Sequence, residues 1–217
     1  MQLTLRELFT AMHGMFFGGF FLLALFGLVV ELIRNHYATQ PSTLTPRGQT
    51  LERAFLIVTA ALGWLAVFTG TYIVYPWYRS KPPASAAGLT AYPRYRLLSH
   101  PNTAAWHNIG MEWKEHIAFF APIAITMIAY ILIRQRTAFR QHPQARTSVL
   151  AFAVVAFVAC GVASGFGAMI DKAAPVSGGA VFDLQLAAAM LANGVQRIYT
   201  YNTSDFEGFK ELAVVEP

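Results

Sequence analysis

Two histidines occupy matching positions in separate apolar segments of this chain. His13 lies about four residues into the first segment, and His116 lies about as far into the third if that helix begins near Glu112. With a helical rise of about 1.5 Å per residue, we expect the two imidazoles at similar depth. Neutral imidazoles on separate helices are suitable axial ligands for a low-spin b-type haem. The spacing therefore predicts a haem iron between His13 and His116.

His107 is the other histidine that competes for this role. It precedes His116 by nine residues, so on one continuous helix the two rings point to opposite faces and cannot bind the same iron. Either ring can pair with His13, and His116 is the more deeply embedded in sequence. Three cationic side chains are expected at the membrane surface, where they can pair with haem propionates: Arg94, Arg96 and Lys114. Two alternatives stay open, namely hydrogen-bonded histidines at headgroup level and a quinone site.

The segment Glu112–His116 also has the spacing of a metal motif, since residues i and i+4 share a helical face. Di-metal carboxylate bundles need a second such motif on another helix, and the sequence offers none. We interpret the segment as a solvated or salt-bridged helix start, with Lys114 and Glu115 facing the lipid headgroups.

Four apolar runs must position these residues. They cover residues 9–33, 54–75, 112–133 and 147–170, and a helix of about 20 apolar residues crosses a bilayer. Only 12% of the residues are charged, about half the usual share of a soluble domain. The sequence predicts an all-α integral membrane protein, a four-transmembrane-helix bundle over residues 1–174. The net charge of +5 belongs to the loops, where it reflects topology and lipid headgroups, so no nucleic acid is expected.

Local motifs refine this bundle. Pro122 predicts a kink in the third helix, which membrane helices tolerate. Two G-x-x-x-G patterns predict close helix packing, because both glycines of each lie on one face: Gly14 with Gly18, and Gly161 with Gly165. The alternative is that Gly14 and Gly18 leave room for a flat cofactor beside His13.

Basic residues are divided evenly between the two ends of the bundle. Within residues 1–174, seven lie on the side of the termini and the long 76–116 loop, and seven lie in the two short loops. Because short loops weigh more in the positive-inside rule, we expect those loops in the cytoplasm and the termini outside, in a multi-pass protein of the cell inner (plasma) membrane.

From residue 175 the pattern changes to that of a small α/β appendage. Residues 182–193 predict an amphipathic helix ended by Gly194, and residues 196–201 and 212–215 predict strands. Asp183 opens the Ala-rich helix, and the first strand leads into Thr200-Tyr201-Asn202-Thr203-Ser204-Asp205-Phe206. This tail resembles the C-terminal half of a PIN domain, a nuclease fold. The resemblance implies that Asp183 matches one metal-binding acid of that family and that Asn202 or Asp205 matches a later one.

Chemistry argues against an active nuclease. The family clusters carboxylates around Mg²⁺ or Mn²⁺ to activate water, and its first acids come from an N-terminal half that is replaced here by apolar helices. We interpret residues 175–217 as a fusion remnant or a docking element.

The membrane part resembles, in general form, the haem-b membrane anchors of respiratory complexes. The resemblance implies a non-catalytic membrane subunit of a respiratory or photosynthetic electron-transfer complex, with haem b as cofactor. Its partners would be the lipid bilayer, other subunits and an external cytochrome c. The alternatives are a cofactor-free structural or assembly subunit and a membrane-tethered PIN-type ribonuclease.

Overall fold

Four long helices dominate the protein. The computed structural model describes residues 5–37, 45–86, 88–89, 91–173, 186–203, 206 and 209–217. The four helices are long and apolar enough to cross a membrane, which confirms the prediction of four apolar helices and indicates a membrane protein. We call them span 1 (Leu8–Tyr37), span 2 (Pro46–Tyr78), span 3 (Pro101–Arg134) and span 4 (Pro143–Ile170).

Spans 2 and 3 extend beyond their apolar runs because polar caps start them outside those runs, and span 3 begins at Pro101 rather than near Glu112. Span 2 follows Thr45, whose hydroxyl oxygen accepts a hydrogen bond of 3.1 Å from the backbone N–H of Gly48. Span 3 follows His100, whose Nδ1 accepts the N–H of Asn102 at 3.3 Å. A proline comes next in both cases, and its fixed φ and missing N–H suit the first helical turn. His100 is therefore a capping residue.

The hydrogen bonding of the spans departs from the α-helical pattern at one end of the bundle. Three segments are π-helical: Met12–Gly19 in span 1, Gly70–Val74 in span 2 and Trp106–Met111 in span 3. All three lie at the end where span 1 begins, span 2 ends and span 3 begins. Short π-helical segments are often found at functional sites.

Span 3 is also interrupted just before Pro122. One helical segment ends at His116, the next begins at Phe120, and residues 117–119 form a turn. Proline has no N–H to donate and its ring clashes with the carbonyl four residues earlier. The interruption lies where the kink at Pro122 was predicted.

The main core lies between the four spans. Leu25 of span 1, Leu56 of span 2 and Ile125 of span 3 are fully buried there against Ala153 and Ala156 of span 4. Many large apolar side chains on the outside are exposed, including Leu23, Val58 and Val158. A bilayer would cover such a surface, and in lipid the spans associate through van der Waals packing rather than through burial from water.

Close contacts between spans at glycine do not use the predicted G-x-x-x-G pairs. A Cβ atom at Gly63 would lie 2.9 Å from the Phe21 ring, and one at Gly110 would lie 3.0 Å from the Phe166 ring. Among the described residues, the predicted pairs meet no neighbouring helix: a Cβ atom at Gly14, Gly161 or Gly165 would have nothing within 4 Å, and one at Gly18 would meet only the His13 carbonyl of its own span. The prediction that these glycine pairs pack closely was wrong, because the aromatic rings of Phe21 and Phe166 pack against Gly63 and Gly110 instead.

Two short helices complete the membrane part. Pro93–Leu98 lies in the long loop, and its Leu97 is fully buried with Tyr78, Met111 and Ile170. Arg136–Gln141 joins spans 3 and 4 at the opposite end. Each short helix therefore closes one end of the bundle.

The tail forms its own small unit of secondary structure. Residues 186–192 are helical, and Gly194 follows with a φ of +74°, the left-handed conformation that glycine adopts readily after a helix. Strand β1 (Arg197–Tyr199) pairs in parallel with strand β2 (Ala213–Val215), with Arg197 opposite Ala213. The described elements thus fall within the helix and strands expected from the sequence.

Candidate functional site

His13 is held between spans 1 and 2. Its Nδ1 lies 2.8 Å from the carbonyl oxygen of Ala66 and 3.3 Å from the hydroxyl of Thr69. Because a carbonyl only accepts, the Nδ1 atom carries the proton and Nε2 keeps its lone pair. The ring edge covers Gly70, where a Cβ atom would lie 2.7 Å from Cε1 of His13. Gly70 leaves the space that the imidazole occupies.

His116 points away from the centre of the bundle. Its Nδ1 lies 3.0 Å from the carbonyl oxygen of Glu112 in the preceding turn and 3.5 Å from the Glu112 carboxylate. The side chain is 69% exposed. Its Nδ1–H is satisfied by a carbonyl, as in His13, so Nε2 again keeps a lone pair.

The neighbours of His116 explain its direction. The Trp113 indole N–H donates to the Ala159 carbonyl of span 4 at 3.1 Å, and the Tyr75 hydroxyl of span 2 donates to the Glu115 carboxylate. Successive residues of a helix turn by about 100°, so His116 is left on the outer face. Among the described residues, no hydrogen bond or ring contact joins His13 to His116.

Lys114 lies inside the bundle, and this placement differs from the sequence-based expectation. A Cβ atom at Gly167 of span 4 would lie 3.1 Å from Nζ of Lys114. Its charge is within electrostatic range of the His13 ring. We expected Lys114 and Glu115 to face headgroups, but Lys114 packs against span 4 and Glu115 binds span 2.

His107 belongs to a polar cluster between spans 2 and 3. Its Nδ1 shares a hydrogen bond of 2.7 Å with the hydroxyl of Tyr78, which is 5% exposed. The Arg94 guanidinium lies within electrostatic range of both rings, and its Nε is buried with no hydrogen-bond partner among the described residues. Arg79 lies over the Tyr75 ring, 5.2 Å from its centroid.

Arg94 and Arg96, two of the three predicted propionate partners, are placed differently from each other. Both lie on the short helix Pro93–Leu98, and both are half-buried. Arg94 lies within electrostatic range of His107 and Tyr78, whereas no ion pair or ring contact in the described ranges connects Arg96 to a histidine. The structure thus brings Arg94 to His107 and leaves His13 and His116 at other places in the bundle.

Metal-ligating side chains do not gather elsewhere in the part of the chain that the structure describes. No three His, Cys, Asp or Glu side chains there converge on one point. A haem iron needs only two axial side chains, so a haem site would not show in this way.

Two of the three tail residues that the PIN resemblance identifies lie outside the residues that the structure describes. Asp183 and Asp205 are outside the described residues, and Asn202 is exposed, with its backbone N–H donating to the Thr200 hydroxyl at 3.0 Å. The nuclease alternative stays a prediction.

No protein-family model, curated protein or solved structure matches the chain. The function has to be argued from the residues and their geometry.

Proposed function

We propose that the chain is a non-catalytic membrane subunit of an electron-transfer complex and that it binds one b-type haem through His13. The main support is the hydrogen bond from His13 Nδ1–H to the Ala66 carbonyl. Histidines that bind metals almost always donate their second ring N–H to a carbonyl or carboxylate, which fixes the tautomer and presents the other nitrogen. A histidine held this way within a membrane span favours a functional role.

Span 3 supplies the second ligand in this proposal. His116 has the same carbonyl-bonded Nδ1 and an exposed ring, so its Nε2 would be available to the iron. His107 is the competing ligand, and Arg94 beside it would pair with a propionate. Haem supplies one-electron transfer when bound, and this chain's own residues hold, orient and shield it.

The remaining parts of the proposal concern location. We place the protein in the cell inner membrane with the short basic loops in the cytoplasm, since arginines cluster there. The histidine-bearing end would then face outward, toward an external cytochrome c. Other subunits of the complex would cover part of the apolar outer surface.

The haem proposal is tested by the reduced-minus-oxidised spectrum of the detergent-purified full chain and of its histidine variants. We expect the band of a bis-histidine b haem in the wild type and its loss in His13→Ala. His116→Ala and His107→Ala separate the two candidates for the second ligand. His142→Ala, an exposed histidine at the opposite end, is the matched control and keeps the band. A band that survives His13→Ala would refute the central ligand.

A cofactor-free structural subunit is the second candidate. The specific observation in its favour is that His13 already bonds Ala66 and Thr69, as a purely structural histidine would. In that case the spectrum of the folded wild type has no haem band, and His13→Ala lowers thermal stability only.

A further inference from the structure

The connection between spans 3 and 4 concentrates positive charge. Residues 134–149 contain four arginines and no acidic residue: Arg134, Arg136, Arg140 and Arg146. Arg146 lies in the first turn of span 4, where the helix macrodipole adds partial positive charge. This end of the bundle therefore favours an anion.

A carboxylate from span 2 meets only part of this charge. Glu52 forms an ion pair with Arg136, whose side chain is 23% exposed. Burial and the neighbouring Arg140 charge lower the pKa of Arg136 from its ordinary value. Positive groups are thus crowded together at this end of the bundle.

Arg146 has an unsatisfied hydrogen-bond donor at this end of the bundle. Its Nε is buried and has no hydrogen-bond partner within the described ranges. A buried donor without an acceptor is destabilising, and more so when it is charged. An acceptor supplied from outside the chain would remove that destabilisation, and a phosphate group matches the planar guanidinium particularly well.

An apolar groove begins at Ala145, one residue before Arg146 in the chain, and continues into the membrane region. It has a volume of about 190 Å³ and lies between the end of span 3 and the start of span 4. Ile131 and Ala145 line it near the basic loop, and Met127 and Phe152 line it farther along. Seven residues separate Ala145 from Phe152, so the groove extends for about 10 Å along the span. Met127 and Phe152 are 53% and 47% exposed, so the groove opens toward lipid.

We propose that this place binds one anionic glycerophospholipid, with its phosphate at Arg146 and Arg140 and one acyl chain in the groove. The positive charge favours the anionic headgroup of this lipid, and the apolar groove favours its acyl chain. A free anion would leave the groove unused, and a neutral lipid would leave the guanidinium charge unbalanced. Basic pockets between transmembrane helices bind anionic headgroups in this manner.

Native mass spectrometry of the detergent-purified full chain tests this proposal with phosphatidylglycerol and phosphatidylcholine as probes. We expect tighter binding of phosphatidylglycerol, and an affinity about tenfold lower in Arg146→Gln, as for one lost charge-assisted hydrogen bond. Arg53→Gln is the matched control, because Arg53 is an exposed arginine at the same end on span 2. We expect it to change the affinity less than about twofold, as exposed charges usually do.

Two further arms distinguish the lipid from other occupants. Ala145→Phe fills the groove and is expected to weaken phosphatidylglycerol binding, while millimolar inorganic phosphate is expected not to displace the lipid. If Arg146→Gln fails to fold, Arg146→Lys keeps the charge but removes Nε, and it should also weaken binding.

Several outcomes would overturn the proposal. They are equal affinity for the two lipids, equal losses in Arg146→Gln and Arg53→Gln, displacement by inorganic phosphate alone, and an unchanged affinity in Ala145→Phe. Equal affinities, equal losses or displacement by phosphate would indicate nonspecific binding or binding of phosphate alone. An unchanged affinity in Ala145→Phe would indicate that the acyl chain does not occupy the groove, which a helix of another subunit would then fill.

Discussion

The position of the His13 ring depends on the absence of a side chain at Gly70. Any Cβ there would approach Cε1 of His13 to 2.7 Å, so the ring would have to leave its place against Ala66. The space for the imidazole is thus created by span 2, although the imidazole belongs to span 1.

Gly70→Ala should therefore destabilise the protein. We expect thermal unfolding in detergent to show a loss of about 1–3 kcal/mol relative to Gly14→Ala, because a forced core contact costs that much. Gly14 is the matched control, since a Cβ there meets nothing within 4 Å. Equal stability of the two variants would show that the His13 ring is not confined.

The types of the site residues could be predicted from the sequence, but their directions could not. His13 was found by its depth in an apolar run, whereas the inward placement of Lys114 was missed. A π-helical turn holds one extra residue and rotates all following side chains by about 100°. Because Trp106–Met111 is such a segment, regular helical periodicity assigns the wrong faces to Lys114 and Glu115.

An ion pair between Arg136 and Glu52 connects the short helix Arg136–Gln141 to span 2. Both side chains are at least two-thirds buried, so the pair is screened less than an exposed one. This contact connects the start of span 2 with the connection between spans 3 and 4.

A double-mutant cycle with Glu52→Gln and Arg136→Gln measures this connection. We expect a coupling free energy of about 1 kcal/mol, at the upper end for pairs in contact with solvent. The pair Arg34–Glu31 is the control, because its side chains are 71% and 46% exposed, and we expect about 0.3–0.5 kcal/mol there. A coupling free energy no larger than in the control would show that the ion pair with Glu52 does not stabilise this contact.

The spans were easier to predict than their ends. Long uncharged runs identify membrane helices because the bilayer imposes a minimum length. The ends extend farther, since Thr45 and His100 cap helices in polar sequence where hydropathy gives no signal. The short helix Pro93–Leu98 was missed, because its six residues are too few for a periodic pattern.

The bundle as a whole has two chemically different ends. One end has the three π-helical segments and the clustered His107, Tyr78 and Arg94. The other has the arginine-rich connection of spans 3 and 4. Four crossings would put these ends on opposite sides of a membrane, and the greater weight of short loops in the positive-inside rule predicts that the arginine-rich end is cytoplasmic.

Cysteine labelling of intact cells tests this orientation. We expect a membrane-impermeant thiol reagent to label Ser80→Cys from outside and to leave His142→Cys unlabelled until the cells are opened, both in a Cys160→Ala background. Ser80 follows span 2 and His142 precedes span 4, so they must differ if the spans cross. Labelling of His142→Cys alone would invert the topology, and labelling of both would contradict a four-span protein.

The haem content of the purified chain tests the central claim most directly. We expect extraction of the wild-type protein, isolated from membranes in mild detergent, to yield about one non-covalent b-type haem per chain, the content of a single bis-histidine site. A folded, monodisperse preparation that contains no haem and takes up none when haem is added would contradict the account.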